Sequence, residues 1–417
     1  MTILQIASLL IVLAGIFGSI NYLFLKLPSS IGILVVALFT SFVTLLADWV
    51  LDLRIADQIR TQILEIDFSD ALLEGMLGLL LFAGALHVKL SDLRNVWPVV
   101  LLMATVGVVL STAVVGVGFS WLTGAPLAVA LVFGALISPT DPVAVLGVLR
   151  EANLRKSLET QIAGESLFND GVGYVVYLIL VGLAFPAVSH GSAEAGGLAG
   201  ALTLFLREAV GGAALGLALG WLVFRVMRRI DDYALEVLLT LGLAFGGYEL
   251  AIALHVSAPI VAVCAGLLIG DVGSRYGMSE ETRNYVEAFW VLVDEILNAV
   301  LFLMIGFEVF AVALELDFLV AATASILLAL LGRLVAVAVP VLMLRPFRDM
   351  GPGVIPIMTW GGLKGGISVA LALALPDNDW KPLILTATYV VVVFSIIVQG
   401  LTVARLAGKV GREPELM

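Results

Sequence analysis

"ISPTDPVAVLG", residues 137–147, is the stretch whose reading decides the fold. It lies inside an apolar run, yet it holds one ionised residue, Asp141, between Pro139 and Pro142. A charge at bilayer depth is costly. Pro142 removes a backbone donor, and Pro139 disfavours the helical conformation at Ser138. A membrane helix broken at "SPTDP" frees backbone N–H and C=O groups, which is tolerable only where they line a cavity or bind something. Asp141 would then begin the second half-helix, where its negative charge offsets the positive dipole end. The freed carbonyl of Thr140 can face a cation. A simple proline kink explains the prolines and leaves the aspartate without a reason.

The rest of the chain makes this a membrane problem. Of 417 residues, 61% are hydrophobic and only 13% charged, with a mean hydropathy of +1.11. A soluble chain would carry about a quarter charged residues. The N-terminal apolar segment has neither a basic flank nor a small-residue cleavage site, so it reads as a retained span. The one cysteine, Cys264, excludes an intrachain disulfide and reads as packing. A net charge of −11, with no basic patch interleaved with aromatics, excludes nucleic acid as a partner.

Apolar segments between charged or Gly/Pro-rich breaks predict an all-α integral membrane protein of thirteen transmembrane helices, forming a single transporter domain over 1–417. The spans fall near 3–25, 29–47, 71–88, 96–121, 127–149, 158–184, 207–226, 233–254, 257–270, 286–313, 318–343, 353–376 and 382–404. Residues 48–70 are too charged to span and read as an amphipathic surface helix. With this count, sixteen Lys and Arg fall in connections on one side and four on the other; only Arg333 and Lys364 lie within spans. The bias places the N-terminus outside and the C-terminus in the cytoplasm, in the cell's inner (plasma) membrane.

Ionisable groups within spans are the functional pointers. The sixth span carries "GESLFNDGVG", 164–173. Ser166 and Asp170 share one face, and Glu165 and Asn169 share the adjacent strip. Gly164, Gly171 and Gly173 let another helix approach closely. A hydroxyl, an amide and two carboxylates within two turns suit a hard cation such as Na⁺. The twelfth span holds "TWGGLKGGISVAL", 359–371, in which four glycines flank Lys364. Glycine favours a local break, and Lys364 can offset the negative dipole end of a half-helix. Interrupted spans five and twelve would correspond if helices 1–6 and 8–13 were inverted repeats, the pattern of a secondary transporter. Arg333, central in the eleventh span, needs an anion; Glu165 is the best candidate, while snorkelling of Arg333 to a surface is the alternative. Glu236, Glu308 and Asp271 read as acids near helix ends that reach the surface. For Asp294, Glu295 and Asn298 an interfacial or packing role and a transport role stay equally open.

"SPTDPVAV", "GESLFNDG", "VLVDEILNAVLFLMIGFE" and "GGLKGGISVALALALP" together resemble the monovalent cation–proton antiporter superfamily, in its NhaP/NHE branch. The resemblance implies a homodimer in the lipid bilayer. It implies a mobile core of helices 4–6 and 11–13, about 96–184 and 318–404, moving an ion past a scaffold of about 1–95 and 200–313. It implies cation ligands at Asp141, Asp170, Ser166 and the carbonyl of Thr140, and a structural ion pair between Glu165 and Arg333. Two departures stand out. Ala83 replaces the third-helix glutamate of many members, with His87 nearby, and Lys364 stands where many relatives carry Arg.

The function these residues imply is Na⁺/H⁺ antiport by alternating access, of the elevator type, with Na⁺ and H⁺ competing for Asp170 and Asp141. Asp170 is the one exchangeable site once Glu165 pairs with Arg333 and once Asp141 and Lys364 compensate half-helix dipoles. Asn169 in place of a second Asp fits electroneutral one-for-one exchange. No cofactor is called for beyond the transported Na⁺ and H⁺. Exchange of K⁺ or Li⁺ uses the same ligand types. A cation-coupled symporter of similar core, a channel and an intramembrane enzyme are the rivals. A symporter would want a larger polar cavity and a channel a continuous pore. No H-E-x-x-H or G-x-S-x-G occurs to support an enzyme.

Overall fold

The computed structural model describes residues 3–51, 75–141, 156–186, 198–310, 316–346 and 353–410. The surface helix expected over 48–70 lies outside the described residues beyond Leu51. So does everything from Pro142 to Arg155, the expected second half of the fifth span.

Among the described residues every regular element is a helix. In chain order they are α1 (Ile3–Ile20), α2 (Ser29–Leu51), α3 (Leu77–Leu86), α4 (Leu90–Thr123), α5 (Leu127–Ile137), α6 (Lys156–Ala184) and α7 (Leu198–Met227). There follow α8 (Tyr233–Ala253), α9 (Ala258–Tyr276), α10 (Glu280–Phe307), α11 (Leu316–Leu344), α12 (Val354–Trp360), α13 (Gly366–Leu373) and α14 (Lys381–Lys409). Ten helical segments among the described residues are long and apolar enough to cross a membrane, and α3 and α5 are shorter apolar helices. The outside of the bundle is apolar: Trp121, Trp49 and Phe39 expose 89%, 84% and 69% of their surface. Buried polar groups such as Glu165, Asp170, Arg333 and Lys364 turn inward instead. This arrangement is stable in lipid and not in water. The chain is a multi-pass membrane protein.

Several helices extend beyond their expected ends. The fourth starts at Leu90 because "LSDLRN" is polar only at the interface, where Asp92 pairs with Lys156 at 3.1 Å. The tenth starts at Glu280 because Ser279 caps it: its Oγ accepts from Thr282 N at 3.3 Å, and Glu280 and Glu281 meet the positive end. That earlier start corrects the reading of Glu236. The first turn of α10 closes over it through Thr282, so Glu236 is fully buried and does not reach the surface. Glu308 is likewise enclosed, beside Tyr389 of α14. Asp271, by contrast, pairs with Arg275 at 3.0 Å.

The helices pack in two groups. α4, α5 and α6 lie against each other and, through α4, against α11, which carries α12 and α14; α13 packs on α14. The other group joins α7, α8 and α9 to α3, and α10 to α1, α2, α3 and α8. The backbones of α4 and α5 approach each other closely. A Cβ at Gly116 would fall 2.8 Å from Leu131 Cα, and one at Gly134 would intrude on the Thr112 carbonyl while lying 3.0 Å from Gly116 N. Backbone atoms cannot yield as a flexible side chain can. Gly134→Ala is therefore expected to cost about 1–3 kcal/mol. Thermal unfolding in detergent checks this, and a loss under about 0.5 kcal/mol would mean that the helices separate freely.

Candidate cation-binding site

Helix α5 stops at Ile137, and residues 138–141 are not helical. Helix α12 stops at Trp360, and the chain is non-helical until Gly366 begins α13. These two non-helical stretches hydrogen-bond to each other. Asp141 N donates to Leu363 O at 2.8 Å. Lys364 Nζ donates to Ser138 O at 3.0 Å and Pro139 O at 3.2 Å. These are carbonyls that α5 leaves without helical partners, so the ammonium sits at the negative end of α5 rather than of its own helix. Ser395 Oγ on α14 holds the Lys364 backbone N–H at 2.9 Å.

Glycine is required on both sides of Leu363 and Lys364. A Cβ on Gly365 would sit 2.6 Å from Asp141 Cβ, and one on Gly362 would fall within the Arg333 guanidinium. The glycines of α6 serve the same end. Cβ atoms on Gly164, Gly171 and Gly173 would reach Leu93, Ile260 and Pro139 at 2.8, 2.6 and 2.7 Å. Gly173 thus lets α6 come up to the "SPTD" stretch, while Gly164 and Gly171 let α4 and α9 approach α6.

There the expected residues meet. Arg333 Nη1 and Nη2 donate to Glu165 Oε1 at 2.5 Å and Oε2 at 2.7 Å, a bidentate pair, and Arg333 Nε donates to Met358 O at 3.1 Å. Asn169 Nδ2 donates to Glu165 Oε1 at 2.9 Å and Thr140 Oγ1 at 2.8 Å, while its Oδ1 accepts from Thr140 N at 3.2 Å. Both amide hydrogens and one lone pair of its oxygen are thus engaged, bracing α6 against Thr140 and holding Glu165. The Ser166 hydroxyl donates to the Thr140 carbonyl, so that carbonyl is not left bare. All five of these residues are at least 95% buried.

Asp170 differs from them. It is 4% exposed, and its Oδ1 accepts no hydrogen bond from the described residues. It faces a cavity of about 60 Å³ together with Thr140, Asp141, Ser368 and Asn298. Ser368 was not singled out in the sequence. It lies in the first turn of α13, and its buried Oγ also lacks a partner among the described residues. Its position two residues past the "LKGG" break was the available signal. Asp294 holds Asn298, and Glu295 is exposed. Ala83 is fully buried, and His87 Nδ1 lies 2.7 Å from Ala83 O, beyond the cavity lining.

The chemistry is that of a buried carboxylate in a small, largely apolar cavity whose polar groups are a second carboxylate, Asp141, and the neutral side chains of Thr140, Ser368 and Asn298. Such a group takes a hard monovalent cation or a proton.

Comparison with known proteins agrees. A family model described as "Sodium/hydrogen exchanger, transmembrane" matches residues 3–409. The Na(+)/H(+) antiporter NhaP of Pseudomonas aeruginosa is 45% identical over 422 residues, 98% of this chain and 97% of that protein. The Na(+)/H(+) antiporter NhaH of Halobacillus aidingensis is 36% identical over 347 residues, 82% of this chain and 84% of that protein. The fold matches the sodium proton antiporter MjNhaP1 from Methanocaldococcus jannaschii with a TM-score of 0.77, covering 98% of this chain and 99% of that one at 19% identity. With the match running nearly end to end, the chain belongs to the transmembrane sodium/hydrogen exchanger family.

Proposed function

We propose that this protein exchanges Na⁺ for H⁺ across the membrane, one for one, at Asp170. The observation that carries the reading is the buried Asp170 carboxylate, short of hydrogen bonds and facing a small cavity that Thr140, Asp141, Ser368 and Asn298 also line, beside the ends of α5 and α12. The names of the similar antiporters support the substrates. Asp141, Ser166 and Thr140 supply the remaining oxygens, and Ser368 adds a hydroxyl. Asn169, its amide already engaged, holds Thr140 in place.

Count the charges of the buried centre. Glu165 and Arg333 cancel, and Lys364 balances Asp141 across the two breaks. One negative charge, on Asp170, is left. Moving a bare carboxylate through the low-dielectric interior costs several kcal/mol. The group α4–α6 with α11–α14, about 96–184 and 318–404, therefore crosses only when Asp170 holds Na⁺ or H⁺. Either load gives the same net charge, so the exchange is electroneutral. The other helices, about 1–95 and 200–313, are the scaffold past which this core moves, in a homodimer. The sparser packing between the two groups supports that division. Thirteen spans, with inverted repeats of helices 1–6 and 8–13, give the odd topology this needs. The N-terminus lies outside and the C-terminus in the cytoplasm of the plasma membrane, as the Lys and Arg bias supports.

The test uses proteoliposomes holding an imposed pH gradient, to which Na⁺, Li⁺ or K⁺ is added separately. Na⁺ is expected to dissipate the gradient with saturating kinetics. A response to K⁺ alone would replace the substrate, and no response to any of them would overturn antiport. Moving one net charge per cycle would couple the rate to voltage by about 2.3 kcal/mol per 100 mV. A steep voltage dependence would therefore refute the one-for-one count.

A further inference from the structure

One face of α10 carries Glu287, Asp294, Asn298 and Leu301, at intervals of seven, four and three residues. Exposure falls along it: Glu287 is exposed, Asp294 half-buried, and Asn298 only 3% exposed. At its buried end this face forms part of the wall of the cavity that Asp170 also lines. Of that wall's described residues from α3 and α10, Leu80, Leu81, Gly84 and Leu301 are apolar while Asn298 is polar. A lone carboxamide on an apolar wall calls for a reason.

Its orientation is set chemically. Asn298 Nδ2 donates to Asp294 O at 2.8 Å and to Asp294 Oδ1 at 3.0 Å. Both amide hydrogens are thereby used. The reversed carboxamide would set its oxygen against two oxygens, so the assignment has no chemical alternative. The free end is Oδ1, which accepts no hydrogen bond from the described residues.

We propose that Asn298 Oδ1 is the oxygen through which the α3–α10 wall contacts the cation held at Asp170, and that Asp294 is its positioning residue. This rests on antiport at Asp170. The carbonyl type fits: a neutral oxygen adds a ligand to Na⁺ without adding a charge, and so leaves the one-charge count intact. A proton on Asp170 needs no such ligand. Asn298 therefore favours the cation over the proton at one shared carboxylate. It also favours a cation that wants several oxygens, such as Na⁺, over the smaller Li⁺, which is satisfied by fewer.

The test compares the full-length protein with Asn298→Ala, Asp294→Asn and the double variant in proteoliposomes at fixed pH. Removing an oxygen from a charged partner is expected to raise the KM for Na⁺ roughly tenfold. The maximal rate should change little and the pH dependence at saturating Na⁺ not at all, while the preference for Li⁺ over Na⁺ rises. Asp294→Asn should give a smaller shift of the same kind, and the double variant should match Asn298→Ala, since both changes act through one oxygen. A packing role would lower rate and amount together without moving the Li⁺/Na⁺ preference. Unchanged KM and preference in Asn298→Ala would overturn the proposal while leaving antiport intact. Where Asn298→Ala fails to fold, Asp294→Asn decides by the same readouts. If the unaltered protein moves no cation, the underlying reading itself falls.

Discussion

Asp170→Asn is expected to yield a folded protein that exchanges nothing, with Na⁺-driven proton movement reduced at least about a hundredfold. The change is isosteric, and Asp170 has no hydrogen bond from the described residues to lose at Oδ1, so packing should survive. What disappears is the chemistry. An amide neither releases a proton near neutral pH nor neutralises Na⁺. The core could cross permanently uncharged, carrying nothing. Thermal stability in detergent should therefore hold or rise, because a buried group no longer demands charge compensation. Na⁺ should no longer add to that stability, as binding to the native state does in the unaltered protein. The measurement is pH change inside proteoliposomes on adding Na⁺, with the melting temperature taken with and without Na⁺. Exchange within tenfold of the unaltered rate would move the carrier site elsewhere.

Arg333→Met should do the reverse: damage stability first and transport as a consequence. Arg333 meets Glu165 in a bidentate pair, both being nearly fully buried, and it also donates to Met358 O, where α12 approaches its end. Removing one partner leaves the other charge buried without an answer, which typically costs about 3–5 kcal/mol. Glu165 also carries Asn169, and Asn169 carries Thr140, so the loss propagates to the cation site. Changing both partners to neutral groups, Glu165→Gln with Arg333→Met, should recover most of the stability, because no bare charge remains. The introduced glutamine side chain keeps a carbonyl oxygen for Asn169. Unfolding midpoints of the two single variants and the double one decide this. A loss below about 1 kcal/mol in Arg333→Met would show that the pair is not what holds α6 to α11.

Hydropathy, charge distribution and polar residues at bilayer depth made much of this legible. The run from Gly164 to Gly173 announced a close-packed polar helix, and glycine spacing with intramembrane acids is a local signal needing no partner. The grouping of Thr140, Asp141, Ser166 and Asp170 could be read only through the family resemblance of the two motifs that carry them. Other features were not legible. Glu236 and Glu308 looked like surface acids because enclosure depends on how far a neighbouring helix extends. Ser368 looked like any hydroxyl in an apolar helix. The hydrogen bonds that Asn169 makes to Thr140 and Glu165 cannot be seen in a string of residues.

Taken alone, the residues determine a helical membrane protein with charge where lipid would forbid it, because burial cost and span length are local properties of composition. Which groups answer those charges was decided by the tertiary structure. Lys364 caps α5 and not its own helix, and Asn298 comes to line the cavity that Asp170 faces. Pairings across more than a hundred residues depend on distances of a few tenths of an ångström, and only packed helices set those.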